Sequence, residues 1–329
     1  MSGGVGANGF VAIARQNSLG STAPGSWYPV PFARSSLSLA IEDLVDDSIT
    51  GYGDEPDRVA GSTKVGGGIE GNIDPLSIGF LLKGLFGTIA SSAVGSGFQH
   101  VFNVRSGDFT PISTLPPYAF QVFQGETGVS SAFQFIDCFI NQLDLTIAPN
   151  QYLRGTWSVV GKDATLMTKA APPAWPTGVK KFNWSTVSLS IAGAGVSRYR
   201  DLRLSFDNKI AGQDRLNAAK SPVSFFRDGF RAFGRFQGTM DVAQSDWLNM
   251  KNETEQAVSI YVAGVTSISS GVNEFLKIDY TRGKILKVDE GISGPGVVTV
   301  TVGWKGEFNV GSLTPVRVTL VNTMGSSIY

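Results

Sequence analysis

Polar and apolar residues alternate along residues 35–41, with Leu37, Leu39 and Ile41 on one side. This is the pattern of a half-buried strand. Residues 42–61 are polar and hold Gly51, Gly53, Pro56 and Gly61, which predicts a loop. Residues 62–73 read as a strand interrupted by glycines. Asp74-Pro75 then predicts a helix start, because Asp caps well and Pro suits the first helical position. The helix body from Leu76 to Phe86 is apolar on most sides, and Gly79 and Gly84 allow close packing. Further strands are predicted at 97–104, 118–124, 133–147 and 153–162, with a Gly/Pro/Ser loop at 105–117. Residues 1–30 are rich in Gly, Ser and Ala without a period, and are expected to be an arm ordered only when bound.

Residues 163–181, with Pro172, Pro173, Pro176 and Gly178, predict a linker. Beyond it, strands are expected at 184–191 and 199–206, then a long loop to about 228 and a strand at 230–242. Ser245 can cap a helix running to about Gln256. Strands follow at 257–264, 274–288, 296–308 and 314–321.

The two halves share this order of strand, long loop, strand, helix and strands. They also share residues. Leu37, Leu39 and Ile41 recur as Leu202, Leu204 and Phe206, and Gly67, Ile69, Gly71 and Ile73 as Gly234, Phe236, Gly238 and Met240. Ile136, Asp137, Leu143 and Gly161 recur as Ile278, Asp279, Ile285 and Gly303. The expected organisation is an arm at 1–30, a first β domain at 31–162, a linker at 163–181 and a second β domain at 182–329. Two copies of one small domain suit a part of a symmetric assembly better than an enzyme.

Composition sharpens this. Charged residues are 16% of the 329, well below the roughly 25% of an average globular protein. The chain has 40 glycines, a share that goes with many turns. Low charge also implies that assembly covers much of the surface. Formal net charge is zero, so the chain as a whole has no electrostatic pull on nucleic acid or anionic membrane. The first residues lack a charged segment followed by an apolar one, so synthesis in a cytoplasm is expected. Asn183 and Asn252 begin glycosylation sequons that carry no weight in that setting.

Chemical motifs are sparse. Residues 66–71 match a dinucleotide-binding glycine pattern, but no acid lies between Ser91 and Val104 where a ribose partner belongs. A strand that another backbone approaches closely explains the glycines equally. The segment from Gly155 to Lys162 imitates a phosphate loop with the wrong spacing, and Asp163 stands where a hydroxyl must ligate magnesium. One histidine, His100, and one cysteine, Cys138, exclude a disulfide and a zinc site built within the chain. His100 lies within an apolar strand pattern and no nucleophile motif sits near it. No catalytic residue, cofactor or metal is expected. Residues 76–93 approach the length of a membrane span, but Lys83 and the glycines favour a helix packed on a sheet.

Charge is unevenly placed. Glu42, Asp43, Asp46, Asp47, Asp54, Glu55 and Asp57 are seven acids with no base among them. The matching stretch from Arg198 to Arg235 holds nine bases and four acids. Two solvated loops with accidental bias would give this. So would docking of the acidic loop of one domain on Arg227, Arg231 and Arg235 of another, which would fix register more than it adds affinity.

At residues 36–41, in the glycine-rich strand running into residues 74–87, at residues 135–147 with Gly161-Lys162, and in the closing residues 318–322, the chain resembles the tail tube (major tail) proteins of long-tailed bacteriophages. The resemblance implies a mainly β chain with two tandem β-sandwich or barrel domains, each with one flanking α-helix. It implies that the chain's main partner is itself. Three two-domain chains in a pseudo-sixfold ring, or six chains, would join sheets edge to edge and stack into a hollow tube. Other implied partners are the tape measure, tail terminator and distal tail proteins. Viral DNA would pass through the bore without specific binding, no membrane would be involved, and the place would be the virion tail. The acidic loop is then also a candidate for the bore, since a cationic lumen would hold phosphates. The loops at 42–61 and 207–229, with the arm, are the implied ring-to-ring contacts. A competing reading is a decorative or carbohydrate-binding β-sandwich of a virion or adhesin, with aromatics on one face. Trp27, Trp157, Trp175, Trp184, Trp247 and Trp304 are scattered instead.

Overall fold

Alternating patterns dominate the chain, and the structure is mainly β with antiparallel pairing. The computed structural model describes residues 9–21, 26–45, 58–104, 115–125, 131–169, 178–215, 220–239, 244–291, 298–311, 314–325 and 328–329. Among them are two α-helices, and no sheet closes into a barrel. The predicted loop at 105–117 lies mostly outside the described residues, as does the centre of the predicted linker.

In chain order the first part contains β1 (Phe10–Arg15), β2 (Tyr28–Pro29), β3 (Arg34–Ser35), β4 (Ser38–Val45), β5 (Arg58–Asn72) and helix α1 (Ile78–Phe86). It continues with the hairpin β6 (Gly87–Val94) and β7 (Gly97–Val104), then β8 (Tyr118–Phe123), β9 (Ser131–Ile147), β10 (Arg154–Gly161) and β11 (Asp163–Thr168). The second part contains β12 (Val187–Ile191), β13 (Ala194–Gly195), β14 (Tyr199–Asp207), the hairpin β15 (Ile210–Gln213) and β16 (Ser224–Arg227), β17 (Arg231–Thr239) and helix α2 (Ser245–Lys251). It ends with β18 (Glu255–Ser269), β19 (Val272–Gly291), β20 (Thr299–Gly306) and β21 (Arg317–Asn322).

The main sheet runs β4-β5-β10-β9-β14-β17-β20-β19. Two long strands bend out of it. The first half of β9 pairs with β8 and β11, and the first half of β19 with β18 and β21. Each bend coincides with a register shift, between Tyr118 and Phe120 on β8 and between Gln256 and Val258 on β18. Strands that change sheets at bulges make the corners of such packings. Asp137, in the first bend, has φ 53. Its carboxylate accepts from the Gly20 backbone N–H (2.8 Å) and the Gln16 side chain, and the Gln16 carbonyl accepts from its N–H (2.8 Å).

The core is continuous across both parts and includes Phe80, Phe86, Trp157, Phe206, Phe236, Tyr280 and Trp304. α1 lies inside it. Ile78, Phe80, Leu81, Leu82, Leu85 and Phe86 are all buried, each side chain worth about 1.5–3 kcal/mol of hydrophobic free energy. Asp74 organises the turn before the helix: Oδ1 accepts from the backbone N–H of Leu76 and Ser77, both at 2.9 Å. Gly79 faces the Tyr329 ring and Gly84 faces Ile140 and Tyr118, so neither site has room for a Cβ. The helix ends at Gly87, whose φ of 80 favours glycine.

Several expectations change. Phe10–Arg15, expected in an aperiodic arm, form a buried strand between β2 and β8. The run Phe10-Val-Ala-Ile-Ala14 is covered on both faces, so it has no alternation to reveal it. β11 occupies the start of the predicted linker. α1 is enclosed rather than flanking. α2 stops at Lys251, because Glu253 takes φ 50 and β18 begins at Glu255. Its N-cap is Gln244, not Ser245. The apolar stretch 76–93 divides at Gly87 into α1 and β6, and no described helix is long and apolar enough to cross a membrane.

Candidate assembly surfaces

The main sheet has one face in the core and one face in solvent. Val65, Ile69, Trp157, Val159, Leu143, Leu145, Leu204, Phe206, Phe236, Val302 and Trp304 point inward and are buried. The opposite face carries polar side chains tied into local pairs. Arg154 meets Glu70 across β10 and β5 at 2.6 Å, and Arg203 meets Asp144 across β14 and β9 at 3.5 Å. Lys287 meets Asp289 along β19 at 2.9 Å.

The glycine pattern at 66–71 lies within the second half of antiparallel β5, paired with β4 and β10, and not at a strand-to-helix turn. A Cβ on Gly67 (φ 140) would strike Ser36 O and Leu37 Cα, and one on Gly71 would strike Pro31 O. On β17 a Cβ on Gly238 would strike Arg198 O and Tyr199 Cα. These glycines admit a neighbouring backbone.

In the centre of the sheet, β9 joins β14. Ile147, Leu145 and Leu143 face Leu202, Leu204 and Phe206 in register. The void under this seam is about 10 Å³, lined by Leu145, Ile147, Leu204 and Ile278 among others. Beyond β14 the chain is clamped to the bulge of β9. The Asn208 N–H donates to Asn141 O at 2.8 Å, and the Ile210 N–H to Asn141 Oδ1 at 2.6 Å. The fully buried Asn208 side chain donates to Leu85 O and Ile140 O at 2.9 and 3.0 Å. Ile210 and Phe225 then pack on Phe139, Leu115 and Val160.

The two ends of the sheet differ from this seam. Among the described residues β4 pairs only with β3's neighbour β5, and β19 beyond Lys284 pairs only with β20. Apolar side chains stand exposed at both places: Ile41 at 54%, Leu44 at 63% and Leu286 at 55%. Beside β4 opens a cleft of about 480 Å³ lined by Leu37, Leu39, Val122, Phe133, Phe135 and Leu166.

Of the charged candidates, Asp46, Asp47, Asp54, Glu55 and Asp57 lie outside the described residues. Glu42 and Asp43 are exposed on β4. Glu42 accepts from Lys64 and Ser62, both at 2.8 Å, and the Lys64 contact holds its carboxyl below the usual range. Arg227 is turned inward. It donates to Asn208 Oδ1 at 2.5 Å and lies over the Phe230 ring. Arg231 and Arg235 are exposed on β17, opposite Asp207 and Arg203. Arg227 is thus engaged within the chain, whereas Arg231 and Arg235 stand exposed on β17. The structure brings together two lysines that sequence spacing did not reveal: Lys284 and Lys305 face each other directly across β19 and β20.

The groups considered for chemistry are built into the core. Cys138 is buried against Gly161, and burial pushes its thiol well up. His100 is buried between Ser91 Oγ (2.8 Å) and Met324 O (3.1 Å), and burial lowers its pKa. Among the described residues no three His, Cys, Asp or Glu side chains converge on a metal position.

The sheet thus has a polar face, a buried internal seam, and at each end a strand with exposed apolar and charged side chains. The family model described as phage tail tube protein matches residues 6–306. The chain belongs to the phage tail tube protein family. As a tail tube protein it is a structural component of the virion tail. A search of curated proteins returns no match.

Proposed function

We propose that this tail tube protein is a two-unit subunit that assembles with itself into stacked hollow rings, and that the tube is the conduit for viral DNA. The observation that carries the reading is the β9–β14 seam. It joins two four-stranded groups with the same pairing, β4-β5-β10-β9 and β14-β17-β20-β19, side by side. A sheet extended by the same step from chain to chain has no free edge once it closes.

In this reading the first unit runs from β1 to β11 and the second from β12 to β21. The division expected at 31–162 and 182–329 shifts to take in β1, β2 and β11. Two irregularities support the match. Across β9 and β10 the register slips at Ser158/Val159 and leaves Asn141 as the extra residue, and across β19 and β20 it slips at Ile285/Lys287 and leaves Leu286. Aligned on Gly67 and Gly71 with Gly234 and Gly238, Leu37 corresponds to Leu204 and Leu39 to Phe206. The sequence match of Leu37 with Leu202 is off by two, a shift that alternation alone does not detect. The matches of Leu143 with Ile285 and of Gly161 with Gly303 are off by three, since the bulges put Leu143 on Val288 and Ser158 on Gly303. Each unit has one extra hairpin that reaches the other: β6–β7 pairs with β21, and β15–β16 covers β9 and β10.

Three chains would then close a ring of six units. The polar sheet face suits the bore, because cations already paired to Glu70, Asp144 and Asp289 have less to gain from phosphates. Asp43, Arg231 and Arg235 remain candidates for the bore or for contacts between subunits. The tape measure, terminator and distal tail proteins would be partners within the bore and at the tube ends. Negative-stain electron microscopy of the purified protein, with light scattering over concentration, tests the reading. Stacked hollow rings are expected, whereas a monomer at every concentration contradicts it.

A further inference from the structure

The seam inside the chain has a counterpart that the single chain leaves empty. Matching Asn141 to Leu286 puts Leu143 on Val288, Asp144 on Asp289 and Gln142 on Lys287. The glycine alignment puts Phe206 on Leu39, Ser205 on Ser38 and Asp207 on Ala40. The sealed void under β9–β14 likewise corresponds to the open cleft beside β4. Its lining residues Leu204 and Ile278 match Leu37 and Phe133, which line that cleft.

We propose, building on the tube reading above, that β4 of one chain adds antiparallel to the distal half of β19 of a second copy in the register of the internal seam. Leu39 then lies opposite Val288, Ser38 opposite Asp289 and Ala40 opposite Lys287. Open backbone on both strands supplies the ladder. The exposed Leu39, Ile41 and Leu286 supply apolar area that has no cover in the single chain.

The two seams differ in chemistry at one point. Inside the chain, Ile210 covers the cross-strand pair Phe139 and Val160. In the second unit that pair is Lys284 and Lys305, and the same sequence offset carries Ile210 to Asp43, although the chain turns into β15 after Asp207 whereas β4 runs on to Val45 beside β5. Like charges directly opposite across a ladder destabilise it. Each lysine has an acidic neighbour in its own chain: Lys284 has Glu253 and Glu255 at 3.7 and 3.8 Å, and Lys305 has Glu307 at 3.1 Å. Both lysines are half-buried, and Glu253 and Glu255 are exposed. An apolar cap thus serves the seam that never opens, and in the proposed joint Asp43, with Glu42 exchanging Lys64 for the new partners, lies toward Lys284 and Lys305 of the second chain. Charge of this kind orients the encounter and rejects wrong registers. It also assigns the acidic segment a different target from Arg227, Arg231 and Arg235.

The test is disulfide trapping in assembled protein. Ser38 and Asp289 are exposed, so S38C with D289C should oxidise into a ladder of covalent multimers on a non-reducing gel. The combination S38C with K287C, two residues off on the same face, should give at least tenfold less. Rings that form without the first ladder, equal trapping of the off-register pair, or a disulfide within one chain would each overturn the proposal. Absence of rings from the unaltered protein would instead sink the tube reading, and the proposal with it. As a second arm, K284E with K305E should abolish ring formation while the circular dichroism spectrum is kept. Adding E42K and D43K should restore it. Loss without restoration in a folded protein overturns the charge assignment.

Discussion

The β9–β14 seam and the outer edges of β4 and β19 lie in one sheet with opposite surroundings, and in the proposed two-unit reading they are matching places. At the seam Leu143, Leu145, Leu204 and Phe206 are buried over a void of about 10 Å³. At the edge Leu39 and its neighbours open on a cleft of about 480 Å³. The same strand pattern can therefore be a permanent joint or an assembly surface, depending on whether the partner strand is covalently attached. They differ chemically: Ile210 covers the apolar pair Phe139 and Val160 inside, whereas Lys284 faces Lys305 near the outer edge, where the proposed joint would bring the acids of β4.

The contrast breaks most sharply at its most buried position. Phe206→Ala should cost about 3–5 kcal/mol in urea unfolding of the monomer, whereas Leu39→Ala should cost less than about 0.5 kcal/mol. Similar losses would mean that the edge is already covered in the free chain. Asn208→Ala should come next, at about 1–3 kcal/mol, because it orphans the buried carbonyls of Leu85 and Ile140. Hydrogen exchange should then rise at the end of β14 before it rises at β4–β5. Uniform exchange would show that Asn208 is no clamp.

A smaller effect concerns pH. Burial lowers Lys83 to about 8, while its Nζ donates to Gly87 O at 2.7 Å. Between that value and its ordinary 10.5 the unfolded chain binds more protons than the folded one, so this group makes stability rise with pH across that window. Burial raises the hydroxyls of Tyr118, Tyr199 and Tyr329, which oppose the rise above pH 10. Melting temperature should climb from pH 8 to 9.5 in the native chain and stay flat in Lys83→Met. An equal climb in both would assign it elsewhere.

Much of the main sheet was legible in the sequence, because β9, β10, β14 and β17 each bury one face, and β4 carries the same alternation although its apolar positions stand exposed in the single chain. β1 was not, since both of its faces are covered. β6, with the small residues of Gly87–Val94, and β11, beside a proline-rich stretch, gave no strong period either. In the two-unit reading the repeat was legible in order but not in register: a strand slipped by two residues shows the same faces, and the close approaches at Gly71 and Gly238 and the bulges at Asn141 and Leu286 fix it. The acidic run at 42–57 was visible as a cluster because its members are neighbours in sequence. Lys284 and Lys305 belong to different strands and become a pair only through the ladder.

The number of chains in one ring decides between one closed sheet of paired units and a wall built from single units. End-on electron micrographs of assembled protein, with native mass spectrometry of single rings, give it. The account predicts three chains with a sixfold-like outline, each chain contributing two units to one closed sheet. Six chains per ring, with the second unit standing outside the wall, would contradict it.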